Sequence, residues 1–164
     1  MESPLLIAQF EAMDALPTPI AFTETYTALQ QGVVECQENP LVSIANMKFH
    51  EVQDFLMLSN HGYLGTAFIF SKVWFDALPS DQQAILREAA IEAGGYQRER
   101  SIEREQAYLD AIVAAGGTEV ISITPEAMSD FAAAMAPVYE SFGASLGNDL
   151  VARSLAEIET LSGR

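Results

Sequence analysis

Gln37, Glu38 and Asn39 stand together immediately ahead of Pro40, and the chain's two imidazoles are His50 and His61. A side-chain amide offers two donors and an acceptor, whereas an ionised carboxylate only accepts. Three such groups at one bend of the backbone make a hydrogen-bonding site for a polar ligand, or a plain polar transition from strand to loop. Glu38 and His61 can also form an acid–base couple. No nucleophile, metal-ligand spacing or phosphate-binding glycine loop accompanies them. Catalysis is therefore not expected, and neither a metal nor another cofactor is implied. His50 falls in an amphipathic segment and reads as a packing or surface residue. The single cysteine, Cys36, cannot form an internal disulfide and is expected as a small buried thiol.

These side chains need a backbone to hold them. Thr23 is expected to cap a helix over 24–31, with Tyr26 and Leu29 inward, that stops at Gly32 in the left-handed conformation. The β-branched pair Val33-Val34 then predicts a strand over 33–37. That strand would put Gln37, Glu38 and Asn39 at its carboxyl end, where ligands sit in open α/β sheets, and Pro40 would end the ladder. Upstream, Ser3-Pro4 with Leu6, Phe10 and Met13 predicts a capped amphipathic helix, followed by a short strand over 18–21.

Downstream, residues 41–47 read as helix and the apolar runs 55–58 and 66–70 as buried strands. Ser71 should cap a helix over 72–78. Ser80 and Gln83 have capping-box spacing and open a helix that can run from 81 to about 114, interrupted only at Gly94-Gly95. That is far longer than the average helix of about 11–12 residues. Gly116-Gly117 should stop it, a strand should occupy 119–123, and Thr124-Pro125-Glu126 should start the first of two last helices, over 127–146 and 150–161. The alternation of strands and helices points to the α/β class.

Composition narrows the function classes. The chain has 164 residues, 49% apolar and 19% charged, which suits a folded domain. Its formal net charge of −15 disfavours nucleic acid and anionic membrane surfaces as partners. Arg87, Arg98, Arg100 and Arg104 lie among glutamates on one helical stretch and read as solvated ion pairs. No signal-like segment opens the chain, and no apolar run is long enough to span a bilayer.

The series Tyr26-x-Ala28-Leu29-Gln30-x-Gly32-Val33-Val34-x-x-Gln37-Glu38-Asn39-Pro40 resembles the signature of the solute-binding proteins of TRAP transporters, the DctP-type family. Residues 17–22, 48–53, Asn60-His61 and 78–83 resemble the family in the same order. The resemblance runs along essentially the whole chain yet corresponds only to the family's carboxyl-terminal half. It implies an α/β fold: the second lobe of a two-lobed periplasmic-binding-protein fold, with a long inter-lobe helix and the first lobe largely missing. Residues 1–64 and 105–164 would belong to the second lobe, and 65–104 would cross to the absent first lobe.

By the same resemblance the function is that of a periplasmic receptor, not an enzyme, which binds a small organic carboxylate and delivers it to TRAP permease subunits. Asn39 would complete carboxylate recognition beside an arginine that the family places upstream of Met1. Phe22 would pack on the ligand, Glu38 and His61 would order cleft water, Tyr63 would line the hinge, and Glu2 and Ser3 would tune ligand choice. Cys36 stands where the family most often has glycine. The alternative is a truncated, non-binding fragment, stable only as a homo-oligomer through the 65–104 surface or with its missing half. The apolar residues of 66–70 and Trp74-Phe75 motivate it.

Overall fold

A computed structural model describes residues 3–162. In chain order the elements are α1 (Pro4–Glu11), a 3-10 turn (Phe22–Glu24) running into α2 (Thr25–Gln30), α3 (Leu41–Asn46), a second 3-10 turn (Phe49–Val52) and β1 (Phe55–Leu58). There follow α4 (Lys72–Asp76), α5 (Ser80–Ala115), β2 (Glu119–Ser122), α6 (Pro125–Ala134), α7 (Ala136–Leu146) and α8 (Asn148–Ser162). Among the described residues β1 and β2 pair with each other in a two-stranded sheet. The chain divides into two compact units, one of Met1–Glu35 with Ser122–Arg164 and one of Cys36–Ile121.

In the first unit α1 packs on α7, which also packs on α6 and α8. The Ser3 hydroxyl caps α1 by accepting from the Leu6 N–H at 3.5 Å, and Thr124 caps α6 by accepting from Ala127 N–H at 3.2 Å. The single helix expected over 127–146 is two, because Pro137 sits in the first turn of α7 and has no N–H to continue the ladder of α6. Thr23 is not a cap. It lies inside the 3-10 turn, and neither that turn nor α2 has a side-chain cap. Thr25, Ala28 and Leu29 form the buried face of α2.

The end of α2 explains why residues 33–37 form no strand. Gly32, at φ +66°, sends its N–H to Leu29 O at 3.0 Å, and Val33 N–H reaches Ala28 O at 2.9 Å. This paired closure is the Schellman motif, and it commits Val33 to the helix end with its side chain exposed. The backbone then bends through residues 33–35 and reaches Pro40 without a ladder partner. Residues 18–21 likewise carry no strand pairing.

In the second unit α3 packs on α5 and on the 3-10 turn that follows it. The buried apolar side chains on these elements are Ile44, Phe49 and Ile112. His50 is buried and its Nδ1 lies 3.3 Å from the Ile44 carbonyl, so it is a packing residue. The Thr118 hydroxyl lies within hydrogen-bonding distance of two carbonyls, His50 O at 2.6 Å and Gln53 O at 3.0 Å. Glu119 N–H donates to Asp54 O at 2.8 Å, which leads into the β1–β2 pair. β1 is not buried on both faces as its apolar run implied, since Phe55 and Met57 are exposed.

Residues 66–70 do not form the expected buried strand either. The ring of Phe70 stacks on those of Trp74 and Phe75, each 5.7 Å away, with Phe68 edge-on at 5.1 Å. The Ser71 hydroxyl caps α4 by accepting from Trp74 N–H at 3.4 Å. The Arg87 guanidinium lies over the Phe75 ring at 4.5 Å, while Arg100 is ion-paired to Glu103 at 2.6 Å. The capping box at the start of α5 is not made. Pro79 is the cap residue, and Gln83 Nε2 donates instead to Leu78 O at 2.9 Å. α5 then runs 36 residues straight through Gly94 and Gly95 and stops at Gly116 and Gly117, with φ of +70° and +86°.

Candidate functional site

Two segments of the second unit meet at the candidate site. The first is residues 37–40, immediately ahead of α3. Pro40 caps that helix with its carbonyl, which accepts from Ser43 N–H at 2.9 Å and Ile44 N–H at 3.1 Å. Directly before it, the Asn39 Nδ2 donates to Gln37 Oε1 at 2.7 Å. This bond fixes the Asn39 amide and uses one of its two N–H donors, which leaves a second for a ligand. Both side chains are partly buried.

The second segment follows β1. After Leu58 come Ser59, then Asn60 with a left-handed φ of +47°, then His61. Asparagine tolerates this conformation better than other non-glycine residues. The turn folds His61 back so that its Nδ1 lies 2.7 Å from Ser59 Oγ. On the other side of the ring, Nε2 lies 3.7 Å from Glu38 Oε2, and the two side chains are 29% and 31% exposed. The structure therefore brings Glu38 and His61 together across the intervening α3, turn and strand. Ser59 was missed by sequence reasoning, because its approach to His61 depends on the left-handed φ of Asn60.

The other expected site residues fall elsewhere. Tyr63, two residues beyond His61, is 92% exposed. Phe22 opens the first 3-10 turn in the first unit and is 47% exposed. Ser3 is in that unit too, where its hydroxyl oxygen is engaged as the α1 cap. Glu2 lies outside the described residues. Cys36 is exposed, not the buried thiol expected, because the strand that would have buried it is absent.

The arrangement can hold a polar ligand or water through an amide donor, an imidazole and a carboxylate. It differs from a hydrolytic triad, in which imidazole Nε2 faces the nucleophile and Nδ1 the carboxylate. Here the hydroxyl is at Nδ1 and the carboxylate at Nε2. Among the described residues no group of three or more His, Cys, Asp or Glu is placed to hold a metal ion, and no helix is long and apolar enough to cross a membrane.

The bacterial extracellular solute-binding protein family 7, DctP, matches residues 1–145. The chain is 36% identical over 150 residues to the C4-dicarboxylate-binding periplasmic protein DctP of Rhodobacter capsulatus, covering 92% of this chain and 45% of that one. A TRAP periplasmic solute binding protein from Sulfurospirillum deleyianum, solved with bound succinate, superposes with a TM-score of 0.84 at 38% identity, over 95% of this chain and 52% of that chain. Its counterpart from Sulfitobacter, solved with bound β-D-galacturonate, gives 0.76 at 33% identity, over 88% and 47%. The chain thus spans about half the length of the relatives it matches, and its helix-rich fold with a small sheet fits one lobe of their two-lobed architecture. The family consists of transport receptors and is not an enzyme family. On these matches, the chain belongs to the DctP family of TRAP transporter solute-binding proteins.

Proposed function

We propose that the protein to which this chain contributes is a periplasmic receptor that captures a small organic carboxylate and hands it to TRAP permease subunits. The observation that carries this reading is shared ligand chemistry. Succinate and galacturonate both bear a carboxylate, and they are bound by relatives 38% and 33% identical to this chain. The Asn39 amide, braced by Gln37, supplies a fixed donor for one carboxylate oxygen. Phe22 offers an apolar face to the ligand's carbon skeleton, Glu38 and His61 hold water beside it, Tyr63 lines the hinge, and Glu2 and Ser3 tune ligand choice. Residues 1–64 and 105–164 form one lobe, and 65–104 crosses to the other. The working step is closure of the lobes around the ligand, driven by its tighter binding to the closed state, with no bond made or broken.

Titration calorimetry on the complete gene product, with succinate, galacturonate and a panel of keto acids, tests this reading. Micromolar binding of at least one carboxylate is expected. Failure of the whole panel to bind would overturn it.

A second reading concerns the chain by itself, and one observation favours it: Phe68, Ile69, Val73 and Trp74 lie exposed within 65–104. Large apolar side chains left exposed together in one stretch favour association. The isolated chain then binds no ligand and self-associates through this face. Light scattering should show a dimer or larger species that Trp74→Glu disperses, whereas a soluble monomer would rule this out.

A further inference from the structure

We infer that Ser59 is a positioning residue for His61, fixing the tautomer and orientation of the imidazole so that its Nε2–H faces Glu38. The functional consequence rests on the carboxylate-receptor reading above, but the geometry does not. An ionised carboxylate has only lone pairs to present. With Glu38 Oε2 at 3.7 Å, an unprotonated Nε2 would set lone pair against negative charge, so Nε2 is the nitrogen that carries the proton. In the neutral ring Nδ1 is then an acceptor, and the Ser59 hydroxyl at 2.7 Å is its donor. The tautomer of a histidine is set by the hydrogen bond at its other nitrogen, and Ser59 makes that bond.

The backbone is shaped for the same end. Asn60 adopts its left-handed φ of +47° between the two residues, and this turn brings hydroxyl and ring together just beyond the end of β1. His50 provides a contrast within the same unit. Its Nδ1 faces the Ile44 carbonyl at 3.3 Å, and a carbonyl only accepts, so His50 is protonated on Nδ1. The two histidines therefore hold opposite tautomers, each dictated by its Nδ1 partner.

Removing the hydroxyl takes away the donor that selects the Nε2–H form. The His61 ring then populates both tautomers, and the one with a lone pair at Nε2 turns away from Glu38. Glu38 immediately precedes Asn39, so the disturbance reaches the residue that grips the ligand.

Long-range 1H–15N correlation spectra of the imidazoles, recorded where both rings are neutral, test the inference on the complete gene product. The expected wild-type pattern is Nε2–H for His61 and Nδ1–H for His50. In Ser59→Ala the His61 signals should move toward a tautomer average while those of His50 stay put, which also reports that the fold is intact. Ser59→Thr, which keeps the hydroxyl, should restore the pattern. Carboxylate affinity should fall several-fold in Ser59→Ala and return in Ser59→Thr. An Nδ1–H pattern for wild-type His61, or one unmoved by Ser59→Ala, would overturn the positioning role. A shifted tautomer with unchanged affinity would overturn its link to binding. If the wild type binds no carboxylate the receptor reading fails alone, because the tautomer pattern still decides for or against Ser59.

Discussion

Thr118 and His50 are 68 residues apart in sequence, yet the Thr118 hydroxyl lies 2.6 Å from the His50 carbonyl and 3.0 Å from that of Gln53. A single hydroxyl thereby pins the turn before β1 to the start of β2. Thr118→Val keeps the shape and β-branching but leaves both carbonyls without this partner. A loss of about 1–3 kcal/mol is expected, read as a lower urea midpoint. Thr118→Ser should retain most of the stability.

Two glycines in or beside α5 should respond in opposite directions to the same substitution. Gly95 has no positive φ, and a methyl group added there would meet nothing within 4 Å. Gly95→Ala should therefore stabilise by about 0.5–1 kcal/mol through lost freedom of the unfolded chain. Gly116 has φ +70° and ψ 174°, a region open essentially only to glycine. Gly116→Ala should cost about 1–3 kcal/mol. Paired thermal melts decide both.

Arg87 and Arg100 look alike in sequence and should not behave alike. Arg87 covers the Phe75 ring, and Arg87→Ala should cost about 0.5–1 kcal/mol through lost cation–π contact and packing. Arg100 also lies over a ring, Tyr96, but at 5.2 Å and with that residue 60% exposed. Its ion pair with Glu103 is about half exposed on both sides (49% and 58%), so Arg100→Ala should change stability by no more than about 0.5 kcal/mol. Denaturant titration followed by Trp74 fluorescence distinguishes them.

If the proposed carboxylate site is correct, Asn39→Ala should weaken carboxylate binding about 10- to 100-fold, the equivalent of one lost charge-assisted hydrogen bond. Asn39→Asp should be worse, since it sets a negative charge against the ligand's own. Equal affinities for wild type and both variants by calorimetry would remove Asn39 from the site.

The features legible in sequence were those whose causes are local. The caps at Ser3, Ser71 and Thr124 depend on a hydroxyl and an N–H three residues on, and each is made. Gly32 closes α2 as expected, for the same reason. Strands were a different matter, because a strand exists only with a partner. Val33 and Val34 have the propensity, but the helix closure at Gly32 claims the backbone first. Residues 66–70 look like a buried strand by composition, yet Phe70 stacks on Trp74 and Phe75, with Phe68 edge-on against it. The family was readable because its motif is a contiguous string. Ser59 was not, because its relation to His61 depends on the φ of Asn60, which composition does not reveal.

α5 is about 54 Å long at 1.5 Å per residue, and Ile112, near its carboxyl end, is its buried residue. The turns over 96–107 are exposed throughout and carry Arg98, Arg100 and Arg104. Backbone held only by its own helical bonds opens locally far more often than backbone packed on a core. Trypsin should therefore cut α5 more readily in these turns than near its packed carboxyl end. Any body that settles against this stretch slows the cut, which makes the digestion rate a gauge of its occupancy.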